Sequence, residues 1–219
     1  CTSATKITGG TFTNTFKDTT QNIFHGVGKA TSDNFEVAGG TFNKSVSSGY
    51  FADGLTCSSK NPDGTYGIAT AIAQIGSDRY TSLQAAINAV SKKPKTIQLL
   101  NDTTENVTIN ASKQITLDLN GHILNGGTGT AKAAILNKGT VTITDTSAGK
   151  TGTIKRDDQG VAGETSYSVI DNNGTMTIDQ ANVFNNSGSK GSSLIRNGGV
   201  DATSSLTING GTLTVVSSG

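Results

Sequence analysis

The chain has 219 residues, 17 basic and 16 acidic, for a formal charge of +1, and only 15% of them are charged, against roughly 25% in an ordinary globular domain. A neutral, charge-poor chain with no basic cluster does not suit phosphate binding, so nucleic acid is excluded as an expected partner, and no apolar run approaches the roughly 20 residues of a membrane-crossing helix. With 33% hydrophobic residues, 28 Gly, 2 Pro and no Trp, the composition disfavours a helical bundle and suits many short strands joined by Gly and Asn turns.

Along the chain, residues 5–51 read as stacked strands. The signature Gly-Gly-Thr-Phe/Leu begins at Gly9, Gly39 and Gly210, and residues 23–42 align without a gap onto residues 194–213. Asp53-Gly54 and Asp63-Gly64 mark turns, the second within the hairpin-like run from Asn61 to Tyr66. Residues 80–90 break the strand pattern: Leu83, Ala86, Ile87 and Val90 have the spacing of an amphipathic helix. Thr81 and Gln84 fit a Thr-x-x-Gln capping box, and Pro94 follows where a helix would stop. Residues 96–100 and 107–109 read as strands of a first coil, and residues 115–119 as a strand of the next.

From there the repeats align as columns. Gly139-Thr-Val-Thr-Ile143, Gly174-Thr-Met-Thr-Ile178 and Ser205-Leu-Thr-Ile208 superpose, with Val141, Met176 and Leu206 separated by 35 and 30 residues. Alternate strand residues share a face. The Val141/Met176/Leu206 and Ile143/Ile178/Ile208 columns are therefore expected inside, and Thr142, Thr177 and Thr207 outside. Ile135, Ile170 and Ile195 form another column, each followed two residues on by Asn137, Asn172 or Asn197. Stacked asparagines can hydrogen-bond from one coil to the next and tolerate the left-handed backbone of a sharp corner. Short strands, recurrent Asn/Gly corners and a spacing of about 25 to 35 residues predict an all-β chain, a right-handed parallel β-helix (solenoid) with one short capping α-helix. The expected division is 1–70, the closing coils and terminal hairpin of one module, and 71–219, the helix-capped opening coils of the next. The end of the sequence would read smoothly into Thr5–Phe12, which suggests a piece of a tandem protein or a unit that stacks head to tail.

The run Tyr80 to Ile87, Ile115 to Gly121, Gly139 to Asp145, Asn173 to Ile178 and Gly39 to Phe42, together with the Tyr50 to Gly54 and Asp63 to Tyr66 segments, resembles the large repetitive, pectate-lyase-like β-helix surface proteins of Gram-positive bacteria. The resemblance implies an extracellular, cell-wall-associated, adhesin-like or structural protein. The first residues carry no secretory leader, so an intracellular, processed or fragmentary chain is expected. Cys1 and Cys57 fit a disulfide, an acylated Cys1, or two free thiols; without a paired Cys-x-x-Cys they do not make a structural zinc site.

The pectate-lyase-like shape also hosts polysaccharide-cleaving enzymes, which place two carboxylates about a scissile bond. Asp157-Asp158 and Gly121-His122-Ile123 are the nearest matches, but His122 lies upstream of the acids and no Arg-x-Lys follows. The outward column Asp118, Thr144, Asp179 and Asn209 brings too few carboxylates for a calcium site, and reads as a solvated polar ladder. His25, Asp171 and Arg196 share an outward column. The threonine columns suggest ordering of water, but the varied Asp118 column breaks a regular array. Asn106-Val-Thr108 matches a glycosylation triplet, of a kind that arises by chance in a chain this rich in Thr and Asn. No catalytic, cofactor-binding or metal residue is assigned, and no cofactor is expected. The expected role is a non-enzymatic extracellular stalk, adhesin segment or filament subunit, with homo-oligomeric, head-to-tail or glycan partners. A carbohydrate-binding or carbohydrate-cleaving β-helix, using Asp157, Asp158 and Tyr167, is the alternative.

Overall fold

The computed structural model describes residues 5–15, 23–24, 35–91, 93–126, 132–157, 168–187, 193–199 and 203–216. Cys1, His25, Asp158 and Tyr167 lie outside them. The chain forms two compact units, Cys1–Thr81 and Ser82–Gly219.

In the first unit, β1 (Thr5–Phe12) and β2 (Phe35–Phe42) pair in parallel, with Ile7 beside Val37, Thr11 beside Thr41 and Phe12 beside Phe42. The pairing exists because the two strands carry the same motif, so each inward side chain meets its own kind. Phe12 and Phe42 stack with centroids 5.4 Å apart. Val37, Phe42, Val46, Tyr50 and Phe51 are buried, with Phe24 and Leu55 packed against them. Two antiparallel pairs follow: β3 (Leu55–Cys57) with β4 (Ile68–Thr70), and β5 (Ala73–Ile75) with β6 (Asp78–Tyr80). The turn between β3 and β4 is the one expected from Asn61 to Tyr66. Asp63 accepts from the Thr65 amide and hydroxyl, and Gly64 supplies a φ of 86°. Arg79 donates to the Ala52 and Leu55 carbonyls at 2.9 and 3.1 Å.

The second unit opens with α1 (Leu83–Ala89), whose Leu83, Ala86 and Ile87 are buried. The expected capping box does not form, and the N-cap lies one residue later than expected. Ser82, not Thr81, is the N-cap, because Ser82 is still extended (φ −153°) and its side chain accepts from the Ala85 amide.

Fourteen strands then visit three parallel sheets in rotation. β7 (Lys95–Leu99), β8 (Thr103–Thr104) and β9 (Val107–Ile109) make the first repeat. β10 (Gln114–Asp118), β11 (Ile123–Asn125) and β12 (Ile135–Asn137) make the second. β13 (Thr140–Thr144), β14 (Thr153–Arg156) and β15 (Ser168–Asn172) make the third, and β16 (Thr175–Ile178), β17 (Asn182–Asn185) and β18 (Ser193–Asn197) the fourth. β19 (Ser205–Ile208) and β20 (Thr212–Val215) begin a fifth. Each strand pairs in register with the strand one repeat earlier: Ile115, Val141, Met176 and Leu206 stand in line, as do Leu117, Ile143, Ile178 and Ile208. The inward columns of the first sheet are buried through the fourth repeat, where Met176 and Ile178 are fully enclosed, while Ile195, which continues the Ile135 and Ile170 column, is only partly buried. Thr96, Thr116, Thr142, Thr177 and Thr207 form the expected column between them.

Asn137 and Asn172 of the asparagine column are fully enclosed, while Asn197, its last member, is exposed. Asn137 donates to Asn172 at 2.7 Å and Asn172 to Asn197 at 2.6 Å, while each Oδ1 of the first two accepts from the amide two residues on. The ladder therefore works as the sequence suggests, but without the left-handed backbone. Among the described non-glycine residues only Asn120 and Lys150 have positive φ. The corner turns on amide hydrogen bonds instead.

Candidate functional site

Two carboxylates fix the corner between the first and second sheets. Asp118, at the end of β10, accepts from the Thr146 amide and hydroxyl, the Asn120 amide and the Gln98 side chain at 2.7 to 3.0 Å. Asp145, just after β13, accepts from the amides of Gly121, Ser147 and Gly152. They are 3% and 1% exposed. Asp118 therefore corrects its expected place in a solvated ladder: it is in register with Thr144, but Thr146, Asn120 and Gln98 close over it. Burial raises both carboxyls. For Asp118 the hydrogen bonds from Thr146, Gln98 and Asn120 outweigh it, and for Asp145 those from Gly152, Ser147 and Gly121 do, so both lie below the ordinary carboxylate range. These carboxylates are spent on structure. Asp179, further along the column, is exposed and accepts from Asn209 at 2.7 Å. Among the described residues no group of three or more His, Cys, Asp or Glu side chains is placed to hold a metal ion.

The acid and histidine singled out by the sequence do not meet. His122 Nδ1 is 3.3 Å from Asp102. Asp157 pairs with Lys155 at 2.7 Å and accepts from Asn125 at 3.3 Å. β11 and β14 align Ile123 with Thr153 and Asn125 with Lys155, so His122 and Asp157 stand five positions apart along one ladder, a separation of ~16 Å at about 3.3 Å per residue. Arg156 ends β14 and is fully buried, its guanidinium donating to the Lys132 carbonyl at 2.8 Å. It occupies an inward position in register with Asn185. A charged side chain there gives no signal in the hydrophobic pattern.

The outer face of the third sheet carries a cavity of about 430 Å³ lined by Asn106, Val107, Thr108, Lys132, Ala133, Leu136 and Asp171. Leu136 is flanked in register by Thr108 and Asp171. Asp171 is bridged on its other side by Arg196, whose Nε donates at 3.0 Å and whose second contact is a close guanidinium–carboxylate bond. That hydrogen bond raises the Arg196 pKa further. The Asn106 side chain donates to the Lys132 and Ala133 carbonyls at 3.2 and 3.0 Å, and a glycan on it would remove one of the two N–H groups that make these bonds. The Cys57 thiol is free and half-buried, and burial raises its pKa.

No protein-family model, curated protein or solved structure matches this chain.

The remaining feature is the fifth repeat. Its inward positions continue the buried columns, yet Ile208, Leu213, Val215 and Val216 are 42 to 46% exposed, and they are the large exposed hydrophobics among the described residues. Among the described residues, β19 and β20 each pair on one side only, with β16 and β17. At the other end of the second unit, α1 covers the first repeat. Gln84 donates to the Thr108 carbonyl and accepts from the Thr108 amide at 3.2 and 2.7 Å, as a neighbouring strand would. Glu105 accepts from the Leu83 and Gln84 amides, and Lys113 donates to the Asn88 and Val90 carbonyls. One end of the repeat stack is closed by a helix, while the last strands keep an open edge.

Proposed function

We propose that the repeats wind as a right-handed parallel β-helix and that the chain is a structural or adhesive segment of an extracellular, cell-surface protein, related to the pectate-lyase-like surface proteins of Gram-positive bacteria. The observation that carries this reading is the continuity of the inward column Ile97, Leu117, Ile143 and Ile178, which is buried through four repeats and ends on the exposed Ile208 of the fifth. A stack of this kind gains stability from neighbouring repeats and is extended by adding more of them. The carboxylates with the best-built surroundings, Asp118 and Asp145, are occupied by corner amides and hydroxyls, which supports a scaffold over a catalyst. The role asks for no cofactor.

The cavity beside Leu136 favours a second reading, a carbohydrate-binding face, since its volume lies within the range of small-ligand sites. Incubation with a panel of neutral and acidic polysaccharides, read by reducing-end release and by calorimetry, separates the two. The scaffold reading expects no bond cleavage by the wild-type chain. Cleavage that disappears in Asp157→Ala sinks it in favour of a polysaccharide-cleaving enzyme.

A further inference from the structure

The Gly-Gly-Thr corner appears in β1, in β2 and between β19 and β20, and its second glycine adopts the same left-handed conformation each time, with φ of 109° at Gly10, 120° at Gly40 and 107° at Gly211. The first glycine has a different reason to be glycine. A Cβ on Gly39 would lie 2.1 Å from the Thr8 carbonyl oxygen, and one on Gly210 would lie 2.8 Å from the Asp179 oxygen. In both, the backbone of the preceding repeat occupies the space a side chain would need. Gly9 is the exception. Among the described residues nothing lies within 4 Å of where its Cβ would be, and its φ is not in the left-handed region. Neither its own backbone nor any described neighbour requires a glycine there. A preceding repeat laid against β1 would require one.

The molecule carries a repeat of the right kind. Ile208, Gly210, Thr212 and Leu213 correspond in the motif to Ile7, Gly9, Thr11 and Phe12. Among the described residues, no strand pairs with β19 or β20 on their trailing side or with β1 on its leading side. Ile208 and Leu213 are exposed, and Ile7 and Phe12 are only half-buried. We infer that a second copy of this chain docks there, its β19–β20 repeat pairing in parallel with β1, Ile208 over Ile7 and Leu213 over Phe12, with Gly9 against the Asn209 carbonyl. The contact continues an interface the molecule already has, since β1 and β2 are two copies of this motif paired in parallel. No charge opposes it: Lys6 is held by Glu36 at 2.7 Å, and the position facing it would be the neutral Thr207. The two surfaces differ, so the contact is heterologous and builds a ring or an open series. This inference deepens the scaffold reading and rests on it.

Sedimentation equilibrium of the full chain over a wide concentration range tests it, with Gly9→Ala and Ile208→Asp as variants. The wild type associates beyond a dimer. Gly9→Ala keeps the wild-type circular dichroism and melting temperature but associates about tenfold to a hundredfold more weakly, because a methyl group is forced against a carbonyl. Gly39→Ala, with the same clash inside the molecule, lowers the melting temperature instead. Each of the first two variants retains one sound edge, so mixing Gly9→Ala with Ile208→Asp restores association as a 1:1 dimer that goes no further. A wild type that stays monomeric throughout, a folded Gly9→Ala that assembles like the wild type, or a mixture that forms no dimer each overturns the inference. The first outcome assigns the β1 edge to a repeat of a longer chain. None of them bears on the scaffold reading, which stands or falls on the polysaccharide assay.

Discussion

Asp118 and Asp145 show how single side chains set the corners of this fold. Each presents four or three acceptor contacts to groups that would otherwise be left unpaired where the chain leaves one sheet for the next. An unpartnered buried polar group costs about 1–3 kcal/mol. Both carboxyls lie below their ordinary values, so the folded chain refuses protons that the unfolded chain accepts. Their contribution to stability is complete above the ordinary carboxylate range and is lost as the pH falls below about 4 and through the folded values. Denaturant titrations at a series of pH values should therefore show an acid limb that flattens in the Asp118→Asn/Asp145→Asn double variant, which is also less stable at neutral pH. An acid limb unchanged in that variant would assign the linkage to other groups. The sequence places Asp118 in the correct column but on the wet side of it. What buries it is a loop residue, Thr146, and no periodicity reports on loops. The asparagine ladder was legible because the same residue recurs at the same place in three repeats, whereas Arg156 and Asn185, equally buried, occur once each in their column.

At the scale of elements, the strands of the first and third sheets and their register were legible, since a period of two within each strand and a recurrence every 20 to 35 residues between strands fix the same inward residues, whereas β8, β11, β14 and β17 of the second sheet, with no repeated motif, were not. The helix was legible in its existence and its buried face. Its role at the edge was not, because that role lies in polar side chains. Gln84, read as a capping residue, instead hydrogen-bonds both backbone groups of Thr108, and the N-terminal amides of α1 are taken by Glu105. An edge strand with unpaired amides is a template for unwanted pairing, and covering it is one way proteins prevent that. Gln84→Ala should therefore expose the β9 edge. We expect a loss of about 1–3 kcal/mol in chemical denaturation, with faster exchange of the Thr108 amide and unchanged protection in β13 and β16. Equal loss of protection in all sheets would mean that the helix holds the repeats together rather than covering their end.

For the whole molecule, three edges matter: the first repeat of the second unit is covered by α1, while among the described residues nothing pairs with the outer edges of the fifth repeat and β1. The candidate site was only half legible for the same reason. The sequence shows that the end of the chain reads into its beginning, but the exposure of Ile208 and Leu213, and the lack of any described neighbour over Gly9, are visible only in three dimensions. The account turns on these two edges being halves of one contact. Residue-resolved amide hydrogen exchange of the wild-type chain, measured at low and at high protein concentration, addresses this most directly. The account predicts that protection rises with concentration at Thr5–Phe12 and at Ser205–Val215 together, while the amides of β10 and β13, already paired on both sides, do not change. Exchange that is independent of concentration at both edges, or protection gained at one edge without the other, would contradict it.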